Sequence, residues 1–287
     1  MKCQNIIELL EELSPLEYAL DWDNCGLLCG RREKDVKKLY IALDVTDDVA
    51  SRAVADGADM ILTHHPLIFR GIKKITNEDF IGRRLLKLIK NDISYYAMHT
   101  NFDIMGMADA AAEILGLRDT DILDVTHEGK ESSKPEDSPG PSIIGASEKG
   151  DPQKQTGPVR QGIGRTGRLP RIMSLSECSE YVKERFNVEH VRIYGDMDSN
   201  LELASVCPGS GKSEIKNALK AGADVLITGD IEYHEGIDAV ACGLAIIDAG
   251  HYGIEKLFID YMKDYITENC EGLEVITHPV DEPFRIV

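Results

Sequence analysis

Two adjacent histidines, His64 and His65, are the residues of this 287-residue chain that most clearly predict chemistry. They follow a short apolar run at residues 60–62 and precede Pro66, which places them at the C-terminal end of a predicted strand, where open α/β sheets bind their ligands. Imidazole is the commonest metal ligand in proteins. Neighbours inside a strand point to opposite faces, but at a strand end the chain turns and both rings can face one site. The alternative is that one ring packs in the core and the other faces solvent.

Two later clusters repeat this arrangement. His99 and Asp103 follow a second predicted strand, and His251 and Glu255 follow a third. His251 and Glu255 are four residues apart at a predicted helix start, so they share one helix face. By itself such a pair is typical of a solvated helix. One catalytic zinc usually takes three protein ligands, so the imidazoles and carboxylates of the three clusters suffice for two metal ions about 3.5–4 Å apart.

The composition excludes several classes of partner. The net charge is −18 and the sequence pI is about 4.8, so the surface repels phosphate backbones and we expect no nucleic-acid partner. No apolar run is long enough to cross a bilayer and no basic-then-apolar leader opens the chain, so we expect no membrane partner. The seven cysteines, an odd number, indicate free thiols in a reducing compartment, and we expect a cytoplasmic protein.

Helical and strand patterns alternate along most of the chain, which predicts an α/β fold. A helix, a Gly-Ala-Asp turn and a strand ending in Thr occur twice, with the turns at residues 57–59 and 222–224. The repeat predicts two related lobes with mostly parallel or mixed sheets flanked by helices, and a metal cleft between them. We expect an N-terminal lobe at 1–127 and a C-terminal lobe at 162–287. The Pro-, Gly- and Ser-rich segment 128–161 is expected to be a disordered or irregular linker or insertion.

The motifs in these clusters resemble a known family. Residues 64–66 (HHP), 99–103 (HTNFD) and 248–255 (DAGHYGIE) are similar to signatures of the NIF-three-like dinuclear-metal-centre proteins, also named GTP cyclohydrolase I type 2 homologues. Further similar stretches are 22–26 (WDNCG), 162–167 (GIGRTG) and 228–234 (TGDIEYH). The resemblance covers essentially the whole chain outside 128–161.

The resemblance implies a metal site and an assembly. Carried over by position, the metal ligands are His64, His65, Asp103, His251 and Glu255, and the cofactors are two divalent ions, with Zn, Fe or Mn expected. It also implies a two-lobed α/β subunit that assembles as a hexameric ring. Some members carry an extra domain in mid-chain, where this sequence has only residues 128–161.

Other residues are candidates for catalysis or substrate binding. His99 is either a general acid/base beside the metals or a hydrogen-bonded core histidine. His234 is a weaker candidate of the same kind for contact with the substrate. Arg70 and Lys73 either bind a substrate phosphate or belong to a solvated face.

Two short motifs resemble sites without meeting their requirements. Residues 209–213 (GSGKS) suggest a phosphate loop, but the pattern requires glycine at position 206, which is Val206. We interpret this stretch as a strand-to-helix turn. The pair His234-Glu235 begins like a zincin motif, but Asp238 stands where the second histidine is required.

The sequence therefore predicts a metal-dependent hydrolase acting on a small, phosphorylated, nucleotide-like molecule. The family name points to GTP as substrate, with formate and 7,8-dihydroneopterin triphosphate as products. The alternative is a non-catalytic ring that binds or carries metal and regulates a partner. A third interpretation is a scaffold in which the metals only stabilise the subunit.

Overall fold

The computed structural model describes residues 1–129, 160–280, 282 and 284–285. The chain forms two compact units. The first comprises Met1–Phe102 and Phe258–Asp281, and the second comprises Asp103–Leu257 and Glu282–Val287. Each unit therefore contains residues from both of the sequence-based segments 1–127 and 162–287. Residues 130–159, most of the segment expected to be irregular, lie outside the described residues.

The first unit is built on a five-stranded sheet in the order β1-β4-β3-β2-β11. The pairs β4–β3, β3–β2 and β2–β11 are parallel, and the edge strand β1 pairs antiparallel with β4. The strands are β1 Gly26–Cys29, β2 Lys38–Ala42, β3 Met60–Thr63, β4 Ser94–Ala97 and β11 Glu274–Thr277. The helices are α1 Cys3–Leu13, α2 Asp47–Ala55, α3 Phe80–Lys90, α4 Thr100–Phe102 and α10 Leu257–Asn269, with a 3₁₀ turn at Leu16–Tyr18.

Both faces of this sheet are covered, which explains why its central strands are continuous apolar runs. On one face α2 and α3 pack against alternate residues of β2, β3 and β4 in a single apolar cluster. On the other face α1 contacts the sheet, with the Cys3 thiol 3.8 Å from the Met60 sulfur. Helix α10 lies against α1, where the Tyr265 hydroxyl donates to the Leu9 carbonyl over 3.3 Å.

The second unit is built on a six-stranded sheet in the order β5-β6-β8-β9-β10-β7. Only β8–β9 and β9–β10 are parallel pairs, so this sheet is mixed. The strands are β5 Arg118–Glu128, β6 Arg160–Ser174, β7 Arg192–Tyr194, β8 Asn200–Ser210, β9 Val225–Gly229 and β10 Ala245–Asp248. The helices are α5 Ala108–Ile114, α6 Leu175–Phe186, α7 Ile215–Ala221, α8 Tyr233–Ala241 and α9 His251–Glu255, with a π-helical turn at Asp103–Met107 and a 3₁₀ turn at Lys212–Glu214.

Helices cover this sheet as well. Helices α7 and α8 contribute Ala218 and Ala239 to an apolar cluster with residues of β5, β8, β9 and β10. Helices α5 and α6 contact β6 and β8. Both units therefore combine sheets with flanking helices, which confirms the predicted α/β class. None of the helices in the described part of the chain is both long and apolar enough to span a membrane.

The predicted internal repeat is present as a repeated hydrogen-bond pattern. In the first unit, Asp59 Oδ2 accepts from the backbone N–H groups of Lys37 and Lys38 at 2.8 and 3.1 Å, just where β2 begins. In the second unit, Asp224 Oδ2 accepts from Glu202 and Leu203 N–H, both at 2.8 Å. In each unit the aspartate before one strand therefore binds the backbone of the neighbouring strand just before their parallel pairing begins.

Strands β1, β5 and β6 were not predicted from the sequence. Most residues of β5 are exposed or half-buried, and β6 contains Gly162, Gly164, Gly167 and Pro170, which are weak strand signals. Their antiparallel pairing in the sheet stabilises them instead. Glu128 and residues 160–161, assigned to the irregular segment, belong to these strands.

Candidate metal centre

The histidine pair lies where the sequence predicted, directly after the fully buried strand β3. His64 is 0% exposed and His65 is partly exposed, and their ring centroids are 4.9 Å apart. The carbonyl oxygen of His65 accepts from the Thr63 and Tyr95 hydroxyls at 2.8 and 2.9 Å. The tyrosine hydroxyl also accepts from the Leu67 N–H over 2.8 Å. These bonds fix the backbone turn that brings both rings to the same site.

His99 completes a cluster of three imidazoles in the first unit. It follows β4, the strand that pairs with β3, and its ring centroid is 5.2 Å from that of His64 and 5.6 Å from that of His65. One ring nitrogen of each histidine lies within 4.8 Å of the corresponding atoms of the other two. Three imidazoles at this spacing are a set of donors that suits a divalent transition metal.

Each imidazole of this cluster is oriented by an oxygen at its Nδ1. The partners are the Met98 carbonyl for His64 at 2.8 Å, Asp44 Oδ1 for His65 at 3.0 Å and Asp23 Oδ1 for His99 at 2.9 Å. A carbonyl or a carboxylate accepts, so each Nδ1 carries a proton, which makes Nε2 the nitrogen that can bind a metal. This is the arrangement that metal-binding histidines show in proteins. The residues therefore fit the implied metal.

Asp23 is the most completely satisfied of these partners. Its side chain is fully buried, and beside His99 it accepts from Thr100 N at 3.0 Å, Thr100 Oγ1 at 2.5 Å and the Cys25 thiol at 3.1 Å. Burial alone would raise the pKa of the carboxyl, but the hydrogen bond and charge of His99 and the other donors outweigh burial and hold it well below its usual range. Asp23 is therefore an anion that fixes the His99 tautomer.

The second unit holds an imidazole–carboxylate pair at the start of α9. His251 Nε2 is 3.0 Å from Glu255 Oε2, and His251 Nδ1 is 2.8 Å from Asp230 Oδ2. The prediction that His251 and Glu255 share one helix face is correct. Glu255 is 3% exposed. An imidazole nitrogen beside a buried carboxylate, with the other ring nitrogen on Asp230, is a second set of groups that suits a metal ion.

Further acidic groups surround the buried Cys207 of β8 in the same unit. Burial and the negative charges of Glu214, Asp103, Glu255 and Asp124, in that order, raise the pKa of its thiol well above the ordinary value. Two of these carboxylates, Asp103 and Glu255, are the implied ligands. The negative charges that act on this thiol belong to two buried and two half-buried carboxylates, and such a group favours a bound cation.

The glycine-rich stretch at 209–213 makes room for these ligands. A Cβ atom on Gly209 would lie 2.3 Å from Glu255 Oε1 and 3.6 Å from His251 Nε2. A Cβ on Gly211 would lie 2.1 Å from Thr228 Oγ1. The stretch forms the end of β8 and a 3₁₀ turn, and Lys212 lies 3.5 Å from a carboxylate oxygen of Glu232. These contacts explain the glycines without a phosphate.

The predicted substrate-binding residues are exposed, whereas the candidate metal ligands are buried or half-buried. Arg70 and Lys73 are exposed in the segment between β3 and α3. His234 is exposed on α8, with its ring against that of Tyr233 at 5.3 Å. Among the described residues, no group of three or more possible metal ligands includes His234. Substrate contact by these three residues stays a prediction.

Sequence reasoning missed the oxygen partners of the imidazoles. Asp44 was not considered, and Asp23 and Asp230 were noted only as parts of the stretches 22–26 and 228–234. Asp44 and Asp230 each follow a buried strand, β2 and β9, so the signal used for the histidines applies to them as well. The Met98 carbonyl has no side-chain signal at all.

Comparison with known proteins gives consistent matches over the whole chain. The family model described as Duf34/NIF3 (NGG1p interacting factor 3) matches residues 1–283. A Clostridium perfringens protein named GTP cyclohydrolase 1 type 2 homolog is 33% identical over 291 residues, covering 100% of this chain and 100% of that protein. A Bacillus subtilis protein of the same name is 30% identical over 367 residues, covering 99% of this chain and 98% of that protein.

Solved structures share the fold. The crystal structure of a Bacillus cereus protein related to NIF3 has a TM-score of 0.83 at 26% identity and covers 100% of this chain and 99% of that chain. The structure of reduced HcgD from Methanocaldococcus jannaschii has a TM-score of 0.75 at 30% identity, with 98% of both chains covered.

Proposed function

Because the chain belongs to the DUF34/NIF3 family, we propose that it is a metal-dependent hydrolase that acts on a nucleotide-like substrate. The reaction that the relatives' names suggest is that of GTP with water to give formate and 7,8-dihydroneopterin triphosphate. Two divalent ions, with Zn, Fe or Mn expected, would be held by His64, His65, Asp103, His251 and Glu255.

The observation that carries this proposal is the orientation of the imidazoles. Four histidines, three in the first unit and one in the second, present Nδ1 to an oxygen acceptor at 2.8–3.0 Å. A core histidine also needs a hydrogen bond, but it can form that bond through either ring nitrogen, whereas all four of these rings use Nδ1. Orienting the rings in advance lowers the entropic cost of binding a metal and increases the basicity of Nε2.

Divalent ions at these residues would act as Lewis acids and lower the pKa of a water molecule towards neutrality. His99 would move protons to and from the substrate at Nε2, since its Nδ1 proton is held by Asp23. Arg70 and Lys73 would bind the substrate phosphates, because they are exposed cations on the segment between β3 and α3 that begins with the histidine pair.

The test combines metal analysis with turnover. Protein purified without chelator should contain divalent metal, and the Zn, Fe and Mn forms should be assayed with GTP and a panel of other nucleotides. We expect His64→Ala with His65→Ala to remove both metal and turnover. His190→Ala is the matched control, because His190 is an exposed histidine outside the candidate ligands.

The outcomes separate the candidate functions. Product that depends on His64 and His65 supports the hydrolase. Tight metal binding without product in any metal form contradicts it and supports a ring that carries metal or regulates a partner. The hexameric ring itself and the cytoplasmic location are part of the proposal, and light scattering on the purified protein checks the assembly.

A further inference from the structure

Two exposed aromatic rings lie beside the imidazole cluster of the first unit. Trp22 is 57% exposed and Phe69 is 45% exposed, and their ring centroids are 5.6 Å apart with an interplanar angle of 51°. Large aromatic side chains gain free energy from burial, so a neighbouring pair that stays exposed is an unusual surface. It indicates a site that binds another flat, apolar group.

Hydrogen bonds hold the backbone segments that carry Trp22 and Phe69. The Asp23 N–H donates to the Leu20 carbonyl over 2.8 Å, and the Leu20 N–H donates to Thr100 Oγ1 over 2.9 Å. On the other side, the Asn24 amide donates to the Ile68 carbonyl, next to Phe69. The two exposed rings are therefore held on short segments that are tied to each other and to the segment after β4.

Both rings are directed at one residue of the proposed active site. The His99 ring meets Trp22 edge-on at 6.0 Å and 74°, and Phe69 at 6.3 Å and 70°. The same histidine belongs to the imidazole cluster. Arg70 directly follows Phe69, and Lys73 is three residues further, so exposed positive charge flanks the aromatic pair.

The geometry points to Trp22 and Phe69 as a stacking platform for the planar heteroaromatic ring of the substrate. The flat ring would stack on the indole of Trp22 and meet Phe69 at an angle, since the two rings are inclined by 51°, and an attached phosphate chain would extend to Arg70 and Lys73. Aromatic side chains bind bases by stacking largely irrespective of sequence, because every base has a π-face. This inference rests on the proposed function, since it names the substrate class and two residues that select it.

The single tryptophan of the chain makes the test direct, because all indole fluorescence comes from Trp22. The metal-loaded full chain should be titrated with GTP, ATP and guanosine, and with tripolyphosphate and ribose 5-phosphate as probes that lack a base. Excitation at the red edge of the indole band avoids absorption by the bases. We expect saturable quenching by the three probes that carry a base and none by the other two.

Variants then separate stacking from phosphate binding. Isothermal titration calorimetry measures Kd for the variants, because those at Trp22 have no indole. Trp22→Ala should raise the Kd for GTP by about 5- to 150-fold, the range found when base-stacking aromatics are replaced. Trp22→Phe, which keeps a flat ring, should lose less than Trp22→Ala, and Phe69→Ala should also weaken binding. The Kd for tripolyphosphate should not change in any of them. Phe80→Ala is the matched control, since Phe80 is another exposed aromatic residue of the same unit.

The outcomes distinguish this inference from the proposed function. Quenching by bases without turnover would support the platform and contradict the hydrolase. Turnover of GTP with an unchanged KM in Trp22→Ala would overturn the platform and leave the hydrolase standing. Indole fluorescence that changes with protein concentration but not with any base would show that a second copy of the chain covers the pair, which also overturns the inference.

Discussion

Asp23 and His99 form a hydrogen-bonded pair in which Asp23 Oδ1 lies 2.9 Å from His99 Nδ1. The two residues come from different segments, the turn before β1 and the end of β4. Because the carboxylate is buried and also accepts from Thr100 and Cys25, it cannot turn away to another partner. The protonated nitrogen of His99 is therefore determined by the fold before any ligand binds.

The first prediction is that Asp23→Asn removes this control of the tautomer. The asparagine can accept from His99 or from the Thr100 N–H, but its amide nitrogen then faces the other donor. We expect kcat to fall by about 10²–10⁴-fold, and stability to fall by about 1–3 kcal/mol from the mismatched donors. Imidazole nitrogen NMR measures the tautomer, and a nucleotide turnover assay measures kcat.

Asp21→Asn is the matched control, because Asp21 is an exposed aspartate of the same turn. It should leave the NMR signals of His99 and turnover unchanged. If Asp23→Asn kept the proton on His99 Nδ1 and retained full turnover, the role of Asp23 in positioning the ring would be wrong.

The second prediction concerns the reactivity of Cys25. Burial, together with the hydrogen bond to Asp23 and its charge, raises the pKa of this thiol to about 12. Only the thiolate is nucleophilic, so at about pH 8 roughly one Cys25 in 10⁴ is reactive. Iodoacetamide should therefore label the exposed Cys242 and leave Cys25 unlabelled in the native protein. Mass spectrometry of the peptides measures this.

The sign of the pH dependence follows from the raised pKa. Labelling of Cys25 should continue to increase as the pH rises towards 12, whereas a thiol of ordinary pKa levels off above about pH 9. Asp23→Asn removes the negative charge beside the thiol and should increase the labelling of Cys25. Rapid labelling of Cys25 in the native wild type near neutral pH would contradict the prediction.

The third prediction is that Gly209→Ala disturbs the ligands of the second unit. Gly209 has a φ of +71°, and an added Cβ would lie 2.3 Å from Glu255 Oε1. We expect lower metal content and a loss of stability. Gly222→Ala is a close control, because its φ is +73° and an added Cβ would meet nothing within 4 Å.

Backbone strain alone should cost both variants about 1 kcal/mol. Only Gly209→Ala should also lose metal, measured by elemental analysis after dialysis, because only its Cβ meets a candidate ligand. Equal metal content in the two variants would show that Glu255 is not required for metal binding or that it moves freely.

The fourth prediction is that the carboxylates behind the imidazoles determine metal affinity. Asp44→Asn and Asp230→Asn each keep an acceptor oxygen at the Nδ1 of a candidate ligand, His65 or His251, but remove its negative charge. Mutation of such a partner typically lowers metal affinity about 10- to 100-fold. Competition with a chromophoric chelator measures the effect. Asp119→Asn, at an exposed position on β5, should bind metal as the wild type does.

The sequence predicts those parts of the site whose signal lies in neighbouring residues. His64, His99 and His251 were placed at strand ends because short buried apolar runs precede them, and the structure has β3, β4 and β10 at those positions. The pairing of His251 with Glu255 followed from helical spacing alone. These signals lie within a few residues of each chemical group, so a single sequence contains them.

The unpredicted parts depend on contacts between distant segments. The Met98 carbonyl becomes significant only because the pairing of β3 with β4 brings it next to His64. Strands β5 and β6 are stabilised by pairing with each other and with β8, which their own glycines and exposed residues do not indicate. Pairing across long stretches of chain leaves no local pattern in one sequence.

The last prediction tests whether the repeated aspartate stabilises both units. Asp59 and Asp224 each accept two backbone hydrogen bonds at the start of a neighbouring strand. Removing either carboxylate leaves two N–H groups without that acceptor, so Asp59→Ala and Asp224→Ala should each lower the free energy of unfolding by about 1–3 kcal/mol. Asparagine at either position keeps one acceptor oxygen and should lose less. Urea unfolding measures both series, and a large effect at one position with none at the other would show that the two aspartates are equivalent in geometry but not in energy.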